Sequence, residues 1–219
     1  MEVRLPTLLS IGTLLMIIVM VICRKWRHTP LWKTIVVPFL LMVAGVAGVR
    51  LLFYIENGSF DGTSFYGAVL FVPIMFVIVK LVFFMPYGQL MDLCAPSECI
   101  MLAVMKVQCI VNGCCWGRIL CINAAGEEIR FPSQIVEMAV ALILVVVLIL
   151  MMRNPKNHGK IYPFYMILYG SSRFVLNLLR ETTDFIWILP AGNVWSIVSI
   201  AAGLLWLYIL KKSRDRLAD

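Results

Sequence analysis

Residues 135–152 read IVEMAVALILVVVLILMM, eighteen positions with a single charge, Glu137, near the start. An α-helix rises about 1.5 Å per residue and the hydrocarbon core of a bilayer is about 30 Å thick, so a run of this length and composition is read as a membrane-spanning helix. Arg153, Lys156 and Lys160 follow it.

Six further runs lie on either side. Upstream are Leu5–Cys23, Leu31–Tyr54, Phe65–Met85 and Leu90–Ile110; downstream are Ile161–Leu179 and Phe185–Leu210. The fourth is the least apolar, carrying Asp92, Pro96, Ser97, Glu98, Lys106 and Gln108. The first is followed by Arg24, Lys25 and Arg27 and has no small-residue cleavage site before them, which predicts a retained span and not a removed signal peptide. With 62% hydrophobic and 14% charged residues, the chain departs from soluble domains, which carry about 25% charged residues. The expectation is one all-α domain over residues 1–219, a polytopic bundle of about seven transmembrane helices.

The net charge of +7 raises the question of a nucleic-acid partner. The distribution of the basic residues answers it. Arg24, Lys25, Arg27 and Lys33 follow span one; Arg153, Lys156 and Lys160 follow span five; Lys211, Lys212, Arg214 and Arg216 follow span seven. Basic residues in short loops mark the cytoplasmic side, which predicts the N-terminus outside, the C-terminus inside and no nucleic-acid partner. The outer loops are then those around Glu56–Asp61, Glu127–Arg130 and Glu181–Asp184.

Seven cysteines are present: Cys23, Cys94, Cys99, Cys109, Cys114, Cys115 and Cys121. No CxxC pair occurs, and both histidines, His28 and His158, fall in predicted cytoplasmic loops. Small buried side chains are the expectation for these thiols, with no metal site and no cofactor.

Cations inside spans carry the sharper signal. Arg50, Lys80, Lys106 and Arg173 lie within or near apolar runs, where a charge facing lipid costs a few kcal/mol. Lys80 can snorkel to the inner interface. For Arg50 and Arg173 two accounts compete: an anionic headgroup, whose phosphate matches the guanidinium fork, or a structural ion pair with Glu98 or Glu137.

Five motifs then occur in order: Thr63-Ser64-Phe65-Tyr66-Gly67-Ala68; Asp92-Leu93-Cys94-Ala95-Pro96; Asn112-Gly113-Cys114-Cys115-Trp116-Gly117-Arg118; Pro132-Ser133-Gln134-Ile135-Val136-Glu137; and Tyr169-Gly170-Ser171-Ser172-Arg173-Phe174, with Arg180 after it. Individually they have plain structural readings. Gly67, Gly113, Gly117 and Gly170 suit close helix packing, Pro96 and Pro132 suit kinks or helix starts, and the tryptophans near span ends suit interface anchors.

Together, from about Gly48 to Gly203, they resemble the bacterial prolipoprotein diacylglyceryl transferase family. The resemblance implies an enzyme of the bacterial inner membrane. It would move diacylglycerol from phosphatidylglycerol to the lipobox cysteine of a preprolipoprotein and release glycerol 1-phosphate at the outer leaflet. Its partners would be phosphatidylglycerol, the lipobox peptide and membrane lipids. Carried over by motif, Arg173, Lys106 and Tyr66 are the catalytic candidates. Arg50, Asn112, Gly113, Gly117, Arg118, Glu137 and Arg180 are the substrate-binding candidates. Departures from the family pattern are specific. Tyr66 stands where the family has histidine, Lys106 where it has arginine, Cys114 where it has an acidic residue, Asn177 where it has glutamate, and Ile11 where it has a first-span tyrosine. A tyrosine near pKa 10 does not suit proton removal at neutral pH as a histidine near 6.5 does, so no general base is assigned. A paralogue that binds or transports phospholipid, or that uses another acceptor, is the alternative.

Overall fold

The computed structural model describes residues 5–123, 126–180, 185–186 and 189–218. Seven α-helices run through them: α1 (Leu5–Arg27), α2 (Leu31–Asn57), α3 (Tyr66–Phe83), α4 (Tyr87–Val111), α5 (Ser133–Met152), α6 (Ile161–Asn177) and α7 (Ala191–Ala218). All but α6 are long and apolar enough to cross a membrane. Helix α6 has 17 residues and spans about 26 Å, slightly less than the hydrocarbon core. The protein is an all-α polytopic membrane bundle.

The helix ends follow local chemistry. Helix α2 stops where Gly58 takes the left-handed conformation, φ 71°, and donates its N–H to the Tyr54 carbonyl. Pro30, Pro86 and Pro132 immediately precede α2, α4 and α5, while Pro96 sits buried inside α4. Two short antiparallel hairpins interrupt the helices at one end. Strands β1 (Ile119–Ile122) and β2 (Glu128–Arg130) follow α4; β3 (Phe185–Ile186) and β4 (Leu189–Pro190) precede α7. The seventh apolar run therefore does not start its helix at Phe185. Its first residues pair as a hairpin, and the helix begins after Pro190. The expected outer loop at Glu181–Asp184 lies outside the described residues.

Helix α4, the least apolar run, is the centre of the bundle. In its most apolar stretch 56% of residues are buried, against 22–39% in the other five long apolar helices. It packs against α1 and α5, with further contacts to α6 and α3. A helix surrounded by other helices contacts little lipid, so it can hold buried Asp92, Ser97, Glu98 and Lys106 where an outer helix could not.

One end of the bundle gathers the basic termini. Arg27, expected among the basic residues flanking span one on the cytoplasmic side, is 1% exposed. Its Nε donates to Asp92 Oδ2 at 2.6 Å and its Nη1 to the Met152 carbonyl at 3.1 Å. Asp92 also accepts the Gly159 and Ile161 N–H groups at 2.7 and 2.9 Å. This clamp ties α1, α4, the end of α5 and the start of α6. Half-buried Lys80 lies near the same end, in the last turn of α3. At the other end, α2 crosses α3 where Gly48 meets Gly67: a Cβ on Gly67 would lie 2.0 Å from the Gly48 carbonyl oxygen. That close approach seats the neighbouring Tyr66.

Candidate active site

The site forms at the end opposite the Arg27 clamp. Helix α5 starts after Pro132 and turns Ser133, Gln134 and Glu137 into the protein. Glu137, one turn in, is 4% exposed and meets three cations. Lys106 reaches it from α4, Arg173 from α6, and Arg180, just past α6, at 3.4 Å. Arg173 makes the ion pair with Glu137 that one of the two accounts expects. Glu98 instead accepts from the Tyr162 hydroxyl at 3.0 and 3.1 Å.

Three cations on one carboxylate leave two positive charges in excess. Buried charge is expensive unless paired, so this cluster is electrostatically suited to one more anion. A small pocket opens beside it, lined by Glu137, Arg173, Tyr169 and Ser172 together with the apolar Leu102, Val140, Ala141 and Leu176. Charged and apolar side chains therefore meet in one pocket. Several buried polar atoms at the same end have no hydrogen-bond partner: Gln134 Oε1, Asn177 Nδ2, Arg180 Nε, Asn193 Oδ1 and Trp195 Nε1. Buried polar groups are ordinarily satisfied, so a polar ligand is the natural complement.

Tyr66, at the start of α3, is buried, and its hydroxyl lies 2.6 Å from Ser196 Oγ of α7. Ser196 gives its own proton to the Gly192 carbonyl at 2.7 Å. The Tyr66 hydroxyl is therefore the donor in their pair, which is the wrong polarity for a base. Its ring sits 5.3 Å from that of Tyr169, which lines the pocket.

The remaining sequence candidates divide. Gly117 and Arg118 act through backbone: Gly117 N–H donates to Phe131 at 2.8 Å and Arg118 N–H to Leu179 at 3.0 Å. These bonds pin the Asn112–Arg118 loop to the end of α6 and so hold Arg180 beside Glu137. A Cβ on Gly117 would meet the Leu179 oxygen at 2.7 Å, so the glycine is required by close approach. Gly113 is required by φ 62° where α4 ends at Asn112. The Asn112 and Arg118 side chains are exposed. Arg50 is not brought to the cluster. It is exposed on α2, and its Nη1 donates to the Phe60 carbonyl of the following loop.

Ser196, Tyr169, Ser172 and Asn193 were missed as site residues. Tyr169 and Ser172 lie within a quoted motif, at four and one residues before Arg173, so helical spacing from Arg173 was the available signal. Ser196 and Asn193 carry none, because the apolar run begins at Phe185 and conceals that their helix starts only at Ala191. Cys109, Cys114, Cys115 and Cys121, expected as small buried side chains, are half-buried or exposed, and the first three come together just beyond Lys106.

A family model described as prolipoprotein diacylglyceryl transferase matches residues 7–209. Three relatives named phosphatidylglycerol–prolipoprotein diacylglyceryl transferase illustrate the similarity. One from Polaromonas naphthalenivorans is 32% identical over 59% of this chain and 52% of its own length. One from Dehalococcoides mccartyi (strain BAV1) is 25% identical over 72% and 65%. One from Verminephrobacter eiseniae is 28% identical over 84% and 81%. The chain thus spans about half the length of the first relative and just under two thirds of the second.

Proposed function

Since the chain belongs to the prolipoprotein diacylglyceryl transferase family, we propose that it transfers the diacylglyceryl group of phosphatidylglycerol to the lipobox cysteine of a preprolipoprotein. The observation that carries this reading is the doubly positive Lys106–Arg173–Arg180 cluster on Glu137, whose Glu137 and Arg173 also line a pocket together with apolar side chains. Phosphatidylglycerol has one phosphodiester charge, a polar glycerol and two acyl chains, which suit the cations, the unpartnered amides and the apolar side chains around them in turn.

In the reaction the acceptor sulfur bonds to the terminal glyceryl carbon, the bond from that carbon to the phosphate oxygen breaks, and the thiol proton is lost. Glycerol 1-phosphate leaves with the extra negative charge. Fixed cations in a dry site stabilise charge that grows on the departing phosphate more than charge already present, which is how Arg173, Lys106 and Arg180 accelerate the step. Glu137 holds the three side chains in place between turnovers. Tyr66 donates a hydrogen bond and packs on Tyr169, orienting the lipid without taking a proton. Exposed Asn112 and Arg118 meet the headgroup or the acceptor peptide at the mouth. Positive residues flank the opposite end, so the site faces the outer leaflet of the bacterial inner membrane. Arg50, bonded to its own loop, is left with a role in lipid approach only.

Mass spectrometry of a synthetic lipobox peptide, incubated with the purified protein and phosphatidylglycerol, tests this. A diacylglyceryl mass gain that requires the peptide's cysteine is the expected result. The donor role of Tyr66, where the family carries histidine, favours a second reading as a phospholipid-binding paralogue. No mass gain, with folded protein and intact bound lipid, selects that reading.

A further inference from the structure

Helix α4 ends in a way that places side chains. The Cys114 N–H donates to the Cys109 carbonyl at 3.0 Å, the Gly113 N–H donates to the Ile110 carbonyl at 3.3 Å, and Gly113 is left-handed. This Schellman closure brings the residue three before the cap and the second residue after it into contact. Here those two residues are Cys109 and Cys114. Cys115 then takes φ 61°, a conformation that residues with a Cβ rarely adopt and that persists where surroundings enforce it. Its carbonyl is held by the Ser133 hydroxyl at the start of α5. The outcome is three free thiols whose sulfur atoms all lie within 4.8 Å of one another.

These are not core cysteines. Cys23, Cys94 and Cys99 are fully buried, whereas Cys109 and Cys115 are half-buried and Cys114 is exposed. Zinc-class ions bind thiolate sulfur at about 2.3 Å, which places tetrahedral ligands about 3.8 Å apart, so the trio needs to contract by only about 1 Å or less. Lys106 lies one turn before Cys109 on α4, and Gly117, two residues after Cys115, pairs with Arg180.

We propose that Cys109, Cys114 and Cys115 form a three-thiolate site for a soft, thiophilic cation of the zinc class, with its fourth position open to an external thiol. Binding exchanges thiol protons for the metal; the protons go to solvent and no electron moves. The open position has a consequence that rests on the transferase reading. A substrate thiol that coordinates there loses its proton to solvent, and a metal-held thiolate needs no side-chain base. Lys106, one turn before Cys109, and Arg180, paired with Gly117 beyond Cys115, both contact Glu137, so that thiolate arrives beside the cationic cluster. This supplies the function that Tyr66 does not.

The test is a Cd2+ titration of the full chain in detergent, following ultraviolet thiolate-to-cadmium charge-transfer absorption. One saturable ion per chain is expected, displaced by Zn2+. The absorption should disappear in C109S and C115S, weaken in C114S, whose exposed side chain places no demand on folding, and persist in C121S on β1. Absence of a saturable band, a band that survives in both C109S and C115S, or alkylation without reductant that finds two of the three thiols closed as a disulfide each overturns the site. Adding a lipobox peptide to the Cd2+-loaded protein should strengthen the band, and the same peptide with serine for cysteine should not. No response to the cysteine peptide removes the fourth-ligand role and leaves the site standing. None of these readouts uses lipid turnover, so their failure is separate from failure of the transferase reading.

Discussion

Glu137 has three cationic neighbours, and its own removal is the most informative change at the residue level. Glu137→Gln leaves Lys106, Arg173 and Arg180 facing one another in a buried site. Breaking a buried ion pair by removing one partner costs about 3–5 kcal/mol, so the variant should melt well below wild type in detergent unless a phosphate-bearing lipid is added. Rescue by phosphatidylglycerol and not by a zwitterionic lipid is the expected pattern in a thermal unfolding assay. Arg173→Ala should abolish diacylglyceryl transfer. Arg173→Lys should restore part of it, since a lysine keeps the charge and loses the fork that fits phosphate. Tyr66→Phe removes one hydrogen bond worth about 1 kcal/mol and should lower turnover by less than about tenfold. Tyr66→His introduces a base that works when unprotonated, so any activity it adds should fall as pH drops through about 6.5. A rate profile from pH 5 to 8 that is the same for the two proteins would show that the histidine takes no proton.

The motif residues were legible at this scale because motif order identifies positions, but partners were not. Nothing along the chain says that Arg50 turns back to the Phe60 carbonyl while Arg173 turns inward to Glu137. Both are arginines in apolar helices, and only the rotation of each helix about its axis separates them.

Among the elements, α4 decides the architecture. Its first turns carry Asp92, which joins Arg27 to the α5–α6 turn, and its last turns carry Lys106 and the thiols. Asp92→Ala strands Arg27 in a buried position, and the expected loss is again about 3–5 kcal/mol, read as a lower melting temperature or loss of folded protein from membranes. The replacement should not alter the Cd2+ response of protein that does fold, because clamp and thiols lie at opposite ends. The α2–α3 crossing makes a second demand. Gly67→Ala places a methyl into the Gly48 backbone, and overpacking of this kind costs about 1–3 kcal/mol. Tyr66 is adjacent, so transfer should drop along with stability. The weak hydropathy of α4 was visible in its sequence. Its central position was not, because low hydropathy alone does not distinguish a buried helix from a poorly drawn span.

For the whole molecule, the bundle has two chemically distinct ends. The basic tails and the Arg27 clamp occupy one, and the Glu137 cluster, the thiols and the β1–β2 hairpin occupy the other. A membrane-impermeant maleimide tests which faces out. In intact cells expressing a chain with Cys109, Cys114 and Cys115 replaced by serine, exposed Cys121 on β1 should label from outside. A cysteine placed at Ser213, with Cys121 also replaced, should label only after lysis. The reverse pattern would invert the proposed orientation and move the site to the cytoplasmic leaflet.

The sequence by itself determined that the chain crosses a bilayer about seven times, where most of those helices lie, and which ends carry the positive charge. The reason is that hydrocarbon acts on every segment independently: a span must be apolar over about 20 residues whatever its neighbours are. Tertiary structure alone decided that Arg27 is buried, that Lys106, Arg173 and Arg180 share one carboxylate, that Arg50 stands apart, and that residues 109, 114 and 115 bring three sulfur atoms together. Those outcomes depend on how helices rotate and cross and on how one helix end closes. Apolar surface is interchangeable to lipid, so hydropathy leaves the rotations undetermined. Direct packing of glycine on glycine and of charge on charge selects them.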